Sequence, residues 1–102
     1  MNHIIKVTLA EDGDALRRSL ADSLREQPDI SVLGEAAEGG ELVALCRETP
    51  PDVAVVDIRM PGMDGVAACK ILRSELPEVR LCWMPIRMSA ALWSRGSWIM
   101  AC

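Results

Sequence analysis

Glu11 and Asp12 stand together directly after an apolar run, residues 4–10, and Asp57 closes a second such run that begins at Asp52. Carboxylates bind hard cations, and toward phosphorus they act as nucleophiles. A β-branched apolar run that stops at acids reads as a strand with its carboxyl edge marked by charge. In an open parallel α/β sheet, ligands bind at that edge, near the point where strand order reverses. If the two strands are neighbours, three carboxylates converge in one crevice and raise one another's pKa unless a cation offsets them. Mg²⁺ suits such a set, because it keeps several waters and takes one or two carboxylates together with phosphate oxygens. Asp57 is then the candidate nucleophile, forming an aspartyl phosphate, with catalysis resting on positioning and electrostatics. Taken singly, an Asp that ends a strand and an Asp that caps a helix account for the same residues.

The elements needed to position these acids can be read along the chain. Leu16, Leu20 and Leu24 recur every fourth residue with Ala21 beside them, predicting an amphipathic helix from about residue 14 to Gln27, stopped by Pro28. Ile30, Val32, Gly34 and Ala36 alternate with Ser31, Leu33 and Glu35, which predicts a second strand. Gly39-Gly40 breaks the chain, and Leu42, Val43, Leu45 and Cys46 make a short second helix before Pro50-Pro51. Residues 52–57 are almost continuously apolar, the mark of a strand buried on both faces. A loop over 58–64 leads to a helix from about Gly65 to Glu75, with Val66, Cys69 and Leu72 inward, and Val79 to Met84 make a fourth strand. Strand and helix alternate with short links, the pattern of a doubly wound, flavodoxin-like α/β fold with a parallel sheet.

Composition sets limits on function. The 102 residues carry 11 Lys+Arg against 15 Asp+Glu and are 50% apolar, enough for one core and too few for two. A net charge of −4 argues against gripping nucleic acid through a broad basic field. There is no uncharged apolar stretch long enough to span a membrane, and the start meets Lys6 too soon for a signal-peptide core, so a cytoplasmic location is expected. Cys46, Cys69, Cys82 and Cys102 form no CxxC or CxxH pair and the one histidine is His3, which leaves no sulfur-based metal site to expect. Cys46 and Cys69 fall on the apolar sides of their helices and read as small buried hydrophobes.

The string Asp57-Ile58-Arg59-Met60-Pro61-Gly62-Met63-Asp64-Gly65 closely resembles the signature of response-regulator receiver domains of two-component systems. Glu11-Asp12 after the first strand matches that family's paired acids, and the resemblance covers about residues 4–81. It implies a CheY-like receiver fold, a phospho-accepting role for Asp57, and Mg²⁺ held by Asp12 and Asp57, by Glu11 indirectly, and by the main-chain carbonyl of Arg59. It also implies a non-enzymatic signalling module whose partner is a histidine kinase, with the helix over 14–27 as docking face. Residues 34–48 and 57–73 most resemble regulators that carry a LuxR-type helix-turn-helix after the receiver, a DNA-binding part with no place in these 102 residues. The resemblance implies neither a membrane partner nor a particular oligomeric state.

The resemblance stops near residue 81. Receivers end their fourth strand with Thr or Ser and their fifth with Lys, whereas this chain reads Trp83-Met84-Pro85-Ile86 and has no Lys after Lys70. Residues 82–102 hold all three tryptophans and no acid. Back-translated with GC-rich codons and read two bases later, this tail gives a string that looks like an ordinary receiver continuation. The expectation is a partial receiver over 1–81 and an atypical, out-of-frame tail over 82–102, hence a truncated regulator of marginal stability with an unprotected sheet edge. Two other functions compete: an interaction-only pseudo-receiver, and a haloacid-dehalogenase-like phosphohydrolase. The latter wants a second acid two residues after its nucleophile, where Arg59 stands.

Overall fold

Val53–Val56 is a strand buried at every residue, as its unbroken apolar character requires of a strand sandwiched between two helical layers. The computed structural model describes residues 3–57 and 65–83. Within them the chain runs β1 (Ile5–Ala10), α1 (Asp14–Arg25), β2 (Ile30–Ala36), α2 (Gly39–Glu48), β3 (Val53–Val56), α3 (Gly65–Glu75) and β4 (Arg80–Trp83). The strands form a parallel sheet in the order β2-β1-β3-β4. This is the doubly wound α/β architecture that the sequence predicts. Strand order reverses about β1, so the crevice between β1 and β3 is the switch point at which such sheets bind ligands.

One layer packs Leu20, Ala21 and Leu24 of α1 against Val7, Leu9, Val53, Val55 and Cys82. The other packs Leu42, Val43 and Cys46 of α2 and Ala68, Cys69 and Leu72 of α3 against Ala10, Ala36, Ala54 and Val56. Burial pushes the Cys46 and Cys69 thiols up to about 11, so both stay protonated and pack as apolar groups, as expected for these free cysteines. Arg47 of α2 and Glu75 of α3 form a two-armed ion pair that ties these helices at the surface.

Four local readings of the sequence differ from the structure. First, β2 does not alternate strictly. Its register with β1 slips between Val7 and Thr8, so Val7 pairs with Val32 while Thr8 pairs with Gly34, and Leu33 is the extra residue. A one-residue bulge exchanges the faces of a strand. Ile30 and Val32 therefore pack in the α1 layer and Ala36 in the α2 layer. Second, Gly39 and Gly40 open α2 instead of preceding it, because Glu38 caps the helix by accepting from the Glu41 N–H at 2.7 Å. Third, α1 ends at Arg25, two residues before Gln27, since the residue before a proline is biased away from helical backbone. Fourth, Leu16 (46% exposed) and Val66 (44%) sit in the first turns of α1 and α3 and face solvent instead of the core. The Arg59 carbonyl and the residues after Trp83, including most of the tail, lie outside the described residues.

Leu42 is wholly buried where α2 meets the sheet. Leu42→Ala is expected to cost roughly 2–5 kcal/mol of unfolding free energy. Leu33→Ala, at the exposed bulge, is expected to cost less than about 1 kcal/mol. Urea unfolding of the two variants checks the contrast; similar losses would mean that the packing described at Leu42 is wrong.

Candidate functional site

Asp52 and Asp57, the two acids that bracket β3, pin it against β1. At one end the Asp52 N–H donates to the Lys6 carbonyl at 2.8 Å, and the Lys6 N–H donates to Asp52 Oδ2 at 2.8 Å. At the other end the Asp57 N–H donates to the Ala10 carbonyl at 3.0 Å, one step past the Ala10–Val56 pair. Glu11 and Asp57 are thus the first residues beyond the carboxyl ends of neighbouring strands. The Glu11 N–H donates to the Ala36 carbonyl at 2.9 Å, which anchors the loop to β2 as well.

The sequence predicts that Glu11, Asp12 and Asp57 converge, and they do: one carboxylate oxygen from each lies within 4.8 Å of the others. Glu11 is 4% exposed and Asp57 6%, while Asp12 faces solvent. This crowding has an electrostatic cost. Desolvation, a side-chain hydrogen bond with Asp57 and the charge of Asp57 together push the Glu11 carboxyl up from an ordinary 4.5 to about 8. A hydrogen bond from the Gly13 N–H to Glu11 Oε1, at 3.1 Å, offsets part of this shift. In the absence of a cation, then, a proton on Glu11 relieves the repulsion at neutral pH.

A hard divalent cation would do the same work without the proton, and one or two of these carboxylates directly, with the third acting through water, make a donor set that suits Mg²⁺. The residues present fit that ion, Asp12 from the solvent side and Asp57 and Glu11 from the interior.

Two residues that the sequence reading did not single out shape the loop. Gly13 leaves room for the Glu11 carboxylate, since a Cβ there would stand 3.2 Å from Glu11 Oε1. Arg17, in the first turns of α1, turns back over the loop and donates through Nη1 to the Glu11 carbonyl at 3.0 Å. Its position six residues after Glu11 is the signal that could have identified it, because the start of a helix following a strand returns over the connecting loop.

The linkage of Glu11 to stability has a definite sign. Its folded pKa lies above the ordinary value, so its favourable contribution is complete below about pH 4.5 and is lost as pH rises through about 8. Unfolding free energy measured in a chelator should therefore fall between about pH 5.5 and pH 8.5. The fall should be largely absent in Glu11→Gln. An equal fall in both chains would show that Glu11 does not carry the shifted proton.

Comparison with known proteins agrees with the fold. The model of the response regulator receiver domain family matches residues 7–91. The chain is 44% identical over 78 residues to the transcriptional regulatory protein LiaR of Bacillus subtilis, covering 76% of this chain and 37% of that protein. It is 39% identical over 77 residues to the DNA-binding transcriptional activator DevR/DosR of Mycobacterium tuberculosis, covering 76% and 36%. In three dimensions it is similar to a two-component response regulator of the LuxR family from Aurantimonas sp. SI85-9A1. That match has a TM-score of 0.77 and 27% identity, covering 92% of this chain and 69% of that one. The chain thus spans little more than a third of the length of the two curated relatives.

Proposed function

The chain belongs to the response regulator receiver domain family of two-component systems, and on that premise we propose that Asp57 is its phospho-acceptor. Receiver domains of this family interact with histidine kinases, and here the donor is read as a kinase phosphohistidine. The observation that carries the assignment is the convergence of Glu11, Asp12 and Asp57 at the β1/β3 switch point.

In the transfer, a carboxylate oxygen of Asp57 forms a bond to phosphorus as the phosphorus–nitrogen bond of the phosphohistidine breaks. The electron pair returns to the imidazole, and the product is a mixed anhydride on Asp57. Asp57 suits this role because its backbone is fixed to Ala10, which holds the nucleophile at the mouth of the crevice. Glu11, Asp12 and Asp57 are the side chains that would hold Mg²⁺, joined by the main-chain carbonyl of Arg59. When bound, Mg²⁺ supplies charge neutralisation to the phosphoryl oxygens. Asp12, the exposed member, would be the ligand on the solvent side.

The wider reading is of a signalling module rather than an enzyme, cytoplasmic, and belonging to the transcriptional response regulators. Residues 1–81 are read as the receiver portion and 82–102 as an atypical tail whose first two residues complete β4. Among the described residues no helix is long and apolar enough to cross a membrane.

Incubation with Mg²⁺ and a small acyl-phosphate donor should produce a base-labile phosphoprotein of one added phosphate, lost in Asp57→Ala and in the presence of a chelator. Mass spectrometry of intact protein reads the result directly. A folded parent chain that stays unmodified would favour a pseudo-receiver that binds partners without phosphorylation.

A further inference from the structure

We infer that Arg17 is a positioning residue for the cation site, a guanidinium clamp that fixes the peptide joining Glu11 to Asp12. The inference rests on the phosphoryl-site reading given above and deepens it.

Arg17 reaches three separate partners. Nη1 donates to the Glu11 main-chain carbonyl at 3.0 Å, Nη2 donates to Asp14 Oδ1 at 2.7 Å, and Nε lies 3.9 Å from Glu35 Oε1. Its side chain is only 17% exposed, unlike the 48% of Arg25 on the same helix. Because the guanidinium is planar, two hydrogen bonds, with the Glu35 charge beside Nε, set its orientation. The Glu11 carbonyl belongs to the same rigid peptide unit as the Asp12 N–H, so fixing that oxygen sets the direction in which Asp12 departs. Asp12 is the exposed carboxylate of the cluster, with the least packing of its own to hold it.

The bulge at Leu33 is what makes the third anchor available. After the register slip, Glu35 pairs with Leu9, whose side chain packs in the α1 layer. Strict alternation from Val32 would have put Glu35 on the α2 face, out of reach of both arginines. On the α1 face it accepts from Arg25 at 3.1 Å and lies beside Arg17. The β2 edge thereby braces a side chain whose other end holds the cation loop. A surface ion pair would need no such arrangement, and neither the core nor the sheet register requires a guanidinium at this position.

The test is Mg²⁺ binding by calorimetry on the full chain, paired with the Mg²⁺ dependence of phosphorylation by a small acyl-phosphate donor. Arg17→Lys keeps the charge but cannot hold both hydrogen-bond acceptors while staying beside Glu35, and it is expected to raise the Mg²⁺ dissociation constant by about tenfold. The half-saturating Mg²⁺ for phosphorylation should rise by the same factor, with the maximal rate at saturating Mg²⁺ within about twofold of the parent. A loss of fold would lower the maximal rate instead, so the split separates positioning from a merely structural role. Arg25→Gln, which breaks the outer pairs with Glu35 and Asp22 and leaves Arg17 in place, should leave Mg²⁺ affinity unchanged. Parent-like affinity in folded Arg17→Lys, or an equal loss in Arg25→Gln, overturns the clamp. Should Arg17→Lys fail to fold, Arg17→Gln decides on the same readings. A parent chain that binds no Mg²⁺ overturns the phosphoryl-site reading itself, whereas a parent that binds and an Arg17→Lys chain that binds equally overturn the clamp alone.

Discussion

Two buried carboxylates cannot both keep their charge at close range without a counter-charge, and the organisation of this chain around its crevice follows from that repulsion. Glu11 and Asp57 are forced together by the pairing of β1 with β3, and each is removed from water. The cost is visible in the Glu11 carboxyl, which holds a proton up to about pH 8. A site that needs either a proton or a cation to settle is poised to take up a hard ion, and an ion bound there leaves a nucleophilic carboxylate beside it. Burial, which would be a liability for a structural acid, is what would give the proposed site a preference for cations.

The sheet is the device that creates this conflict and limits it. Parallel order β2-β1-β3-β4 brings two strand ends together at the switch point, and backbone bonds at both ends of β3 leave Asp57 little freedom. The loop that bears Glu11 and Asp12 is held differently. It has a backbone bond to β2, a glycine that clears space for the Glu11 carboxylate, and a side chain from α1 on its carbonyl. Asp57, the proposed phospho-acceptor, sits on the stiff element, and Asp12, the proposed exposed ligand, on the adjustable one.

Much of this was legible in the residues. The run 53–56 announces a doubly buried strand, and acids at two strand ends announce a charged crevice, because both signals are local and strong. The helix faces were readable where the stripe lies mid-helix, at Leu20, Ala21 and Leu24. Leu16 misled because it lies in the first turn of α1, ahead of the buried stripe, and Val66 because the buried stripe of α3 runs through Gly65, Ala68, Cys69 and Leu72 and passes it by. The bulge at Leu33 was not legible, since Ile30, Val32, Gly34 and Ala36 alternate perfectly in sequence. The register slip becomes visible only against β1, with α2 packed so closely that a Cβ on Gly34 would stand 3.3 Å from Leu45 Cδ1. Arg17 was hidden for a related reason: on a helical wheel it is one polar residue among several, and only the returning loop and the displaced Glu35 give it partners.

The central claim is that Glu11, Asp12 and Asp57 form one cation site, and the most direct measurement is the thermal stability of the chain as Mg²⁺ is added. A ligand that binds only the folded state raises the unfolding midpoint progressively with its concentration. The account predicts such a rise for the parent and for Asp22→Asn, an acid of α1 outside the cluster. It predicts a much smaller rise, or none, for Asp12→Asn and Asp57→Asn. A midpoint indifferent to Mg²⁺ in the parent, or an equal rise in all four chains, would contradict it.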